Sequence, residues 1–180
     1  FIIFDDANLD EALEGFIAAK FRNAGQTCIS ANRLFVNEKV FEKFQSMLVN
    51  RFKQLRVGNG LDDVDVGPLI SNEALKKVES HIKDALKKGA KIVFGGKRSK
   101  AGELFFEPTL VGNINKQMQI FKKENFGPII PLIKFKSEKD LIELVNDTEY
   151  GLAAYFYTNK TSRIWEIVEN LEYGMFGVNS

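Results

Sequence analysis

Cys28 is the only cysteine of the chain, and it follows the run Asn23-Ala24-Gly25-Gln26-Thr27. That run is polar and flexible, and it falls where one helical pattern stops and a new segment starts. A turn there can expose a sulfur. It can also aim the cysteine's own N–H at the oxygen that gains charge when a thiolate attacks a carbonyl. A lone cysteine is equally at home as a small buried hydrophobe, so residue type and position leave both roles open. His81, the one histidine, stands mid-way along a helix rich in Lys and Glu. No second His or Cys lies at ligand spacing, so His81 reads as a solvent-facing residue and no metal site is expected. Pairing Cys28 with His81 as a protease dyad has no local motif behind it. Gly95-Gly96-Lys97 lacks the spacing of a phosphate loop and reads as a turn. On residue type alone, Arg22 reads as a helix-end cation, Glu124 as a surface carboxylate beside Lys122-Lys123, and Phe126 as a core aromatic.

The elements around these residues alternate in kind. Phe1 to Phe4 is an apolar run ended by Asp5-Asp6, consistent with a buried strand. Asn8 can cap a helix, with Glu11 placed as in a capping box, and apolar spacing continues to about Asn23. Arg33 to Val36 reads as a strand and Lys39 to Leu55 as an amphipathic helix. Val57 to Pro68 is rich in turn residues. Ser71 caps a second amphipathic helix that Gly89 ends, and Lys91 to Phe94 is a strand. Phe105 to Val111 carries a strand around Pro108. Ile129 to Phe135 carries another, in which Pro131 suggests an edge or an irregular start. Ser137 caps a helix through Val145, Ala153 to Thr158 is a buried strand, Ser162 to Leu171 a helix and Met175 to Val178 a last strand. This alternation argues an α/β domain with an open, twisted, largely parallel sheet and helices on both faces.

The bulk numbers exclude several function classes. With 25 basic and 24 acidic residues the formal charge is +1, which leaves no electrostatic footprint for nucleic acid or an anionic membrane. No apolar run approaches the ~20 residues of a membrane helix. A single cysteine forbids an intrachain disulfide and fits a reducing compartment. The opening Phe1-Ile2-Ile3-Phe4 reads as a strand already under way, and both ends read as cut inside a longer protein.

Phe21-Arg22-Asn23-Ala24-Gly25-Gln26-Thr27-Cys28 resembles the cysteine signature of the aldehyde dehydrogenase superfamily. Glu124-Asn125-Phe126-Gly127-Pro128 resembles that family's Glu-x-Phe-Gly-Pro element. Gly67-Pro68-Leu69-Ile70, Phe106-Glu107-Pro108-Thr109-Leu110 and Phe4-Asp5-Asp6-Ala7-Asn8-Leu9-Asp10 match further landmarks in order, so the likeness spans the chain. Asn146 to Tyr157 and Leu171 to Asn179 resemble the succinate-semialdehyde dehydrogenases within it.

The resemblance implies a single catalytic, cysteine-bearing domain over residues 1–180, with the cofactor-binding domain and the oligomerisation segment outside it. It implies Cys28 as nucleophile, Glu124 on the nicotinamide ribose, Phe126 beside the nicotinamide and Arg22 on the distal carboxylate of an acidic semialdehyde. NAD or NADP is the implied cofactor, a homo-tetramer or dimer the implied assembly, and the cytoplasm the implied location. The general base and the dinucleotide fold are expected upstream, so residues 1–180 alone are expected to fold without oxidising aldehydes. The alternatives are a scaffold that keeps the fold without turnover, or a dehydrogenase of another substrate class. Where some relatives carry a second cysteine this chain has Ser30, so no disulfide switch is expected.

Overall fold

The computed structural model describes residues 1–180. Seven strands form one sheet: β1 (Ile2–Ile3), β2 (Leu34–Asn37), β3 (Lys91–Phe94), β4 (Thr109–Gly112), β5 (Ile129–Phe135), β6 (Ala153–Tyr157) and β7 (Met175–Val178). Their spatial order is β3-β4-β5-β2-β1-β6-β7. Every neighbouring pair is parallel except β3 with β4. Six helices connect them: α1 (Leu9–Phe21), α2 (Phe41–Phe52), α3 (Asn72–Lys87), α4 (Gln119–Lys122), α5 (Glu138–Asn146) and α6 (Thr161–Asn170).

Side chains alternate across the strands, so the central strands each feed two cores. Ile3, Leu34, Val36, Leu110, Ile130 and Leu132 meet Ala12, Phe16 and Ile17 of α1 and Phe44, Leu48 and Phe52 of α2 on one face. Ile2, Phe4, Phe35, Ile133 and Phe135 meet α5 and α6 on the other. A third cluster seals α3 against Val111 and Ile129. The fully buried phenylalanines Phe16, Phe44 and Phe52 are each worth about 2–3 kcal/mol of apolar burial. Helices on both faces of a largely parallel sheet are what the alternation predicts.

Local signals explain the boundaries. Asn8 accepts from the Asp10 and Glu11 amides at 3.2 and 3.4 Å, Ser71 from Ala74 at 3.3 Å and Ser137 from Asp140 at 3.1 Å. Three points differ from the sequence reading. Pro131 lies in an interior strand, because β5 pairs with both β4 and β2. It faces Val111 at the end of the β4 ladder, while the β2 ladder starts one residue later at Leu132. Its missing N–H therefore falls where one ladder hands over to the other. α1 stops at Phe21, since Arg22 has already left helical dihedrals at φ −52°, ψ 123°. The one-turn helix α4 has no periodicity long enough to read in advance.

Two buried arginines tie the sheet together. Arg33 donates to the carbonyls of Leu144 and Val145 at 3.0 and 2.7 Å and to the Tyr173 hydroxyl at 3.0 Å. It thus closes the C-terminal end of α5, which has no basic residue of its own there. Arg163, at the carboxyl ends of β1 and β6, pairs with Asp6 at 2.5 Å, Glu138 at 2.6 Å and Asp5 at 3.4 Å. Asp6 also accepts from the Thr158 hydroxyl and the Asn159 amide, so the Asp5-Asp6 landmark is structural. The hydrogen bond from Lys39, together with the charges of Lys39 and Arg163, holds Asp5 below the usual carboxylate range. Its ionised form thus adds stability above about pH 4 that fades as the pH falls. Arg163→Ala strands these carboxylates, and we expect a loss of roughly 2–3 kcal/mol in the full-length protein. Lys39→Ala, on the exposed rim of the same cluster, is expected to cost less than about 1 kcal/mol. Denaturant unfolding of the two variants checks the contrast; equal losses would contradict it.

Candidate active site

The loop that carries Cys28 is built from backbone that most residues avoid. Asn23, Ala24 and Gly25 take positive φ in succession, at 52°, 56° and 77°. Each non-glycine residue there costs of order 1–2 kcal/mol, so the surroundings must hold the turn. They do so in several places. Gln26 is buried; its amide nitrogen donates to the carbonyls of Asn23 and Pro68, both at 3.1 Å, and its oxygen accepts from the Ile70 amide at 2.8 Å. The Gly67-Pro68-Leu69-Ile70 landmark is therefore a strut for the cysteine loop. Asn23 donates to the Gln26 carbonyl at 3.1 Å, Thr27 to that of Arg22 at 3.3 Å and Ser30 to that of Lys20 at 3.0 Å. The Tyr155 hydroxyl donates to the Ile29 carbonyl at 3.0 Å.

Residues 124–128 pack directly under this loop. A Cβ on Gly25 would sit 2.4 Å from the Gly127 carbonyl oxygen, and one on Gly127 would sit 2.7 Å from a Val78 methyl of α3. Glycine at both positions lets three layers of the molecule touch. Asn125 locks the contact. Its amide N–H donates to the Asn32 side-chain oxygen at 2.7 Å. Its side-chain nitrogen donates to the carbonyls of Asn32 and Ile120 at 3.1 and 3.2 Å. Only Oδ1 remains, and it lies 2.9 Å from Nδ1 of His81. Because both amide hydrogens of Asn125 are committed, His81 must donate from Nδ1.

His81 is thus a buried residue, 2% exposed, which corrects the solvent-facing reading. It belongs to the inward stripe Leu75, Val78, His81, Ile82 and Ala85 of α3. Burial pulls its pKa down, opposed by the Asn125 bond, with Lys77 and Lys123 adding to the fall and Asp84 resisting it.

A cleft of about 400 Å³ opens beside the loop. Its walls come from the segments entering β1, β2, β5 and β6, so it lies at the amino ends of the parallel strands. Open α/β sheets more often bind ligands at the carboxyl ends. Cys28, Glu124 and Phe126 line this cleft together. Cys28 is exposed, and its backbone N–H has no partner within the chain. Glu124 is half-buried and its carboxylate accepts no bond from the chain, which leaves both oxygens free for a ligand such as a ribose diol. Phe126 is held at φ 47°, an unusual conformation for an aromatic residue.

Arg22 is exposed and does not line the cleft. Its backbone carbonyl accepts from Thr27 in the cysteine loop; burial and the charge Cys28 can carry raise the Tyr155 hydroxyl's pKa, while the charge of Arg22 draws it down. Sequence reasoning missed Lys20, Asn32, Asn125 and Tyr155 as parts of the site. Lys20 alone had a readable signal, since it follows Phe16 by one turn on the buried stripe of α1. No group of His, Cys, Asp and Glu is arranged to hold a metal, and no helix is long and apolar enough to cross a membrane.

The model of the aldehyde dehydrogenase family matches residues 1–180. The chain belongs to the aldehyde dehydrogenase family. It is 51% identical over 181 aligned positions to the Escherichia coli succinate-semialdehyde dehydrogenase [NADP(+)] GabD, covering 100% of this chain and 38% of that protein. It is 49% identical to a Pseudomonas putida 3-sulfolactaldehyde dehydrogenase, covering 37% of it. A crystal structure of succinate-semialdehyde dehydrogenase from Burkholderia pseudomallei superposes with a TM-score of 0.97 at 51% identity, over 100% of this chain and 38% of that one. The chain thus spans under two-fifths of the length of these dehydrogenases.

The clamp in this aldehyde dehydrogenase chain makes a pH prediction. The folded pKa of His81 lies below its unfolded value, so neutral His81 adds stability above about pH 6.5 that is lost as the pH falls toward the folded pKa. His81→Asn places an amide nitrogen near the Nδ1 position. It should keep the Asn125 bond and flatten the stability–pH curve just below pH 6.5. His81→Leu leaves the Asn125 oxygen without a donor and should cost about 1–3 kcal/mol. Thermal denaturation across pH is the check, and an unchanged curve for His81→Asn would contradict the assignment.

Proposed function

We propose that residues 1–180 are the cysteine-bearing part of an NAD(P)-dependent aldehyde dehydrogenase acting on a short aldehyde with a terminal anion, succinate semialdehyde foremost. The observation that carries this reading is the exposed Cys28, with an unengaged N–H, in a cleft shared with the free carboxylate of Glu124.

The Cys28 thiolate adds to the aldehyde carbon, the S–C bond forms, and the carbonyl π pair moves to oxygen. The Cys28 N–H donates to that oxyanion, a contact worth a few kcal/mol in a dry site. A bound nicotinamide dinucleotide, NAD or NADP, supplies the hydride acceptor for this chemistry. Glu124 would accept from the ribose hydroxyls of that cofactor and Phe126 would pack beside its ring. After oxidation the acid is held as a thioester on Cys28. Attack by water breaks the S–C bond, releases the carboxylate and restores the thiol. A thiol suits both halves, as a strong nucleophile and a competent leaving group. In this reading the base that activates the water is the general base expected upstream.

Arg22 is the candidate grip for the distal anion. A guanidinium offers a planar fork that matches a carboxylate or a sulfonate. Its place in the chain turn that leads to Cys28, and its charge acting on Tyr155 of the cleft wall, support that role. The names of the relatives favour a class over a single compound, since proteins named for succinate semialdehyde and for 3-sulfolactaldehyde are similar to this chain at 51% and 49% identity. Both compounds carry an anion away from the aldehyde. A homo-tetramer or dimer belongs to the same reading, with the exposed edge of β7 available for pairing.

Two substitutions in the full-length enzyme test the proposal. Cys28→Ser should abolish aldehyde-dependent reduction of NAD(P) while leaving the thermal transition in place; retained turnover would refute the nucleophile. Arg22→Ala should lower kcat/KM for succinate semialdehyde by roughly 10- to 150-fold. A neutral aldehyde of equal length should lose far less, because it has no carboxylate to hold. Equal losses on both substrates would make Arg22 a support of the cysteine loop instead.

A further inference from the structure

The cleft holds a second potential nucleophile. Lys20 lies in the last turn of α1 on its core-facing stripe, 1% exposed, next to the fully buried Phe16 and Phe21. The other buried cations of the chain are engaged: Arg33 by two carbonyls and a hydroxyl, and Arg163 by three carboxylates. The Lys20 ammonium makes no hydrogen bond and no ion pair with any group of the chain. Yet no fully enclosed side-chain nitrogen in the molecule lacks a partner. The small surface that Lys20 retains is therefore at its amine, and the cleft it lines with Cys28 gives access to it. Burial without a counter-ion lowers its pKa to about 7. A desolvated lysine of this kind is a nucleophile at neutral pH.

We propose that Lys20 is a second covalent site of the cleft, an amine that condenses reversibly with small aldehydes. The proposal rests on the reading that the cleft admits aldehydes. The Nζ lone pair adds to the carbonyl carbon, and a proton passes from nitrogen to oxygen to give the carbinolamine. Loss of water then leaves a C=N imine. One aldehyde and one amine give one imine and one water, with no oxidation or reduction, and hydrolysis reverses the step. Lys20 differs from Cys28 in what it does with the same carbonyl. The thiol holds the carbon in an oxidisable tetrahedral adduct, whereas the amine stores it as an imine.

The test uses the full-length Cys28→Ser protein, so that no thiol adduct forms, with propanal and sodium cyanoborohydride at about pH 6.5. Cyanoborohydride reduces any imine to a stable N-propyl amine, which peptide mapping by mass spectrometry locates. An amine with a pKa of about 7 is roughly a quarter neutral at that pH, against about one part in ten thousand for an ordinary lysine. Lower intrinsic nucleophilicity and the narrow approach offset part of that advantage. We expect Lys20 to be propylated about tenfold faster than the median lysine, with the preference lost in urea. In Lys20→Arg the site should stay unlabelled while the other lysines react as before. No labelling of Lys20 in the folded protein, or labelling no faster than the surface lysines, overturns the proposal. Labelled Lys20 in an enzyme whose wild type fails to oxidise aldehydes would leave this inference standing and sink the function proposed above.

Discussion

Gly25 and Gly127 touch backbone to backbone, at a separation that admits no Cβ on Gly25. The rest of the site hangs on that contact. It lets the strained run Asn23-Ala24-Gly25 lie flat on the segment before β5, and that run turns the chain so that Cys28 enters the cleft with its N–H unspent. The conformational cost of consecutive left-handed residues is met by long-range ties: Gln26 to the Pro68–Ile70 segment, Asn125 to Asn32, and His81 to Asn125. Strain at a reactive loop persists only when its surroundings over-determine it. Here α3, the segment before β5 and the cysteine loop are stacked so that displacing one displaces the others.

The same stack puts Cys28 and the Glu124–Phe126 pair in one cleft although they are far apart in sequence. Parallel strands β2 and β5 are neighbours, so the loops that enter them meet at the same edge of the sheet. The charge-rich Arg163 cluster sits at the opposite, carboxyl edge of β1 and β6 and secures the fold away from the cleft. One end of the sheet is thus saturated with ion pairs. At the other, groups are left unengaged: the Cys28 amide, the Glu124 carboxylate and the Lys20 amine.

Much of this was legible in the sequence. Alternating strands and amphipathic helices, with capping residues at Asn8, Ser71 and Ser137, gave the α/β sheet with helices on both faces. The polar run before Cys28 marked a turn at an exposed sulfur, and ordered motifs placed the chain in its family. The misreadings share a physical origin. His81 occupies an inward position of the α3 stripe, and residue type pointed outward while spacing pointed inward; burial won because Asn125 supplies an acceptor. Pro131 argued for an edge or an irregular start; the strand is interior, and the ladder handover hides its missing donor. The Asn125 clamp depends on partners as distant as His81 and Asn32, and no local pattern announces it. Nor does the order of elements disclose that the cleft opens at the amino ends of the strands.

The central claim is that this clamped turn presents Cys28 as the atom that carries the substrate. Rapid quenching of the full-length enzyme during oxidation of succinate semialdehyde, followed by digestion and mass spectrometry, reads it directly. The account predicts a succinyl thioester on the peptide containing Cys28, formed and consumed at the rate of turnover. Turnover with no acyl group on Cys28, or with the acyl group on another residue, would contradict it.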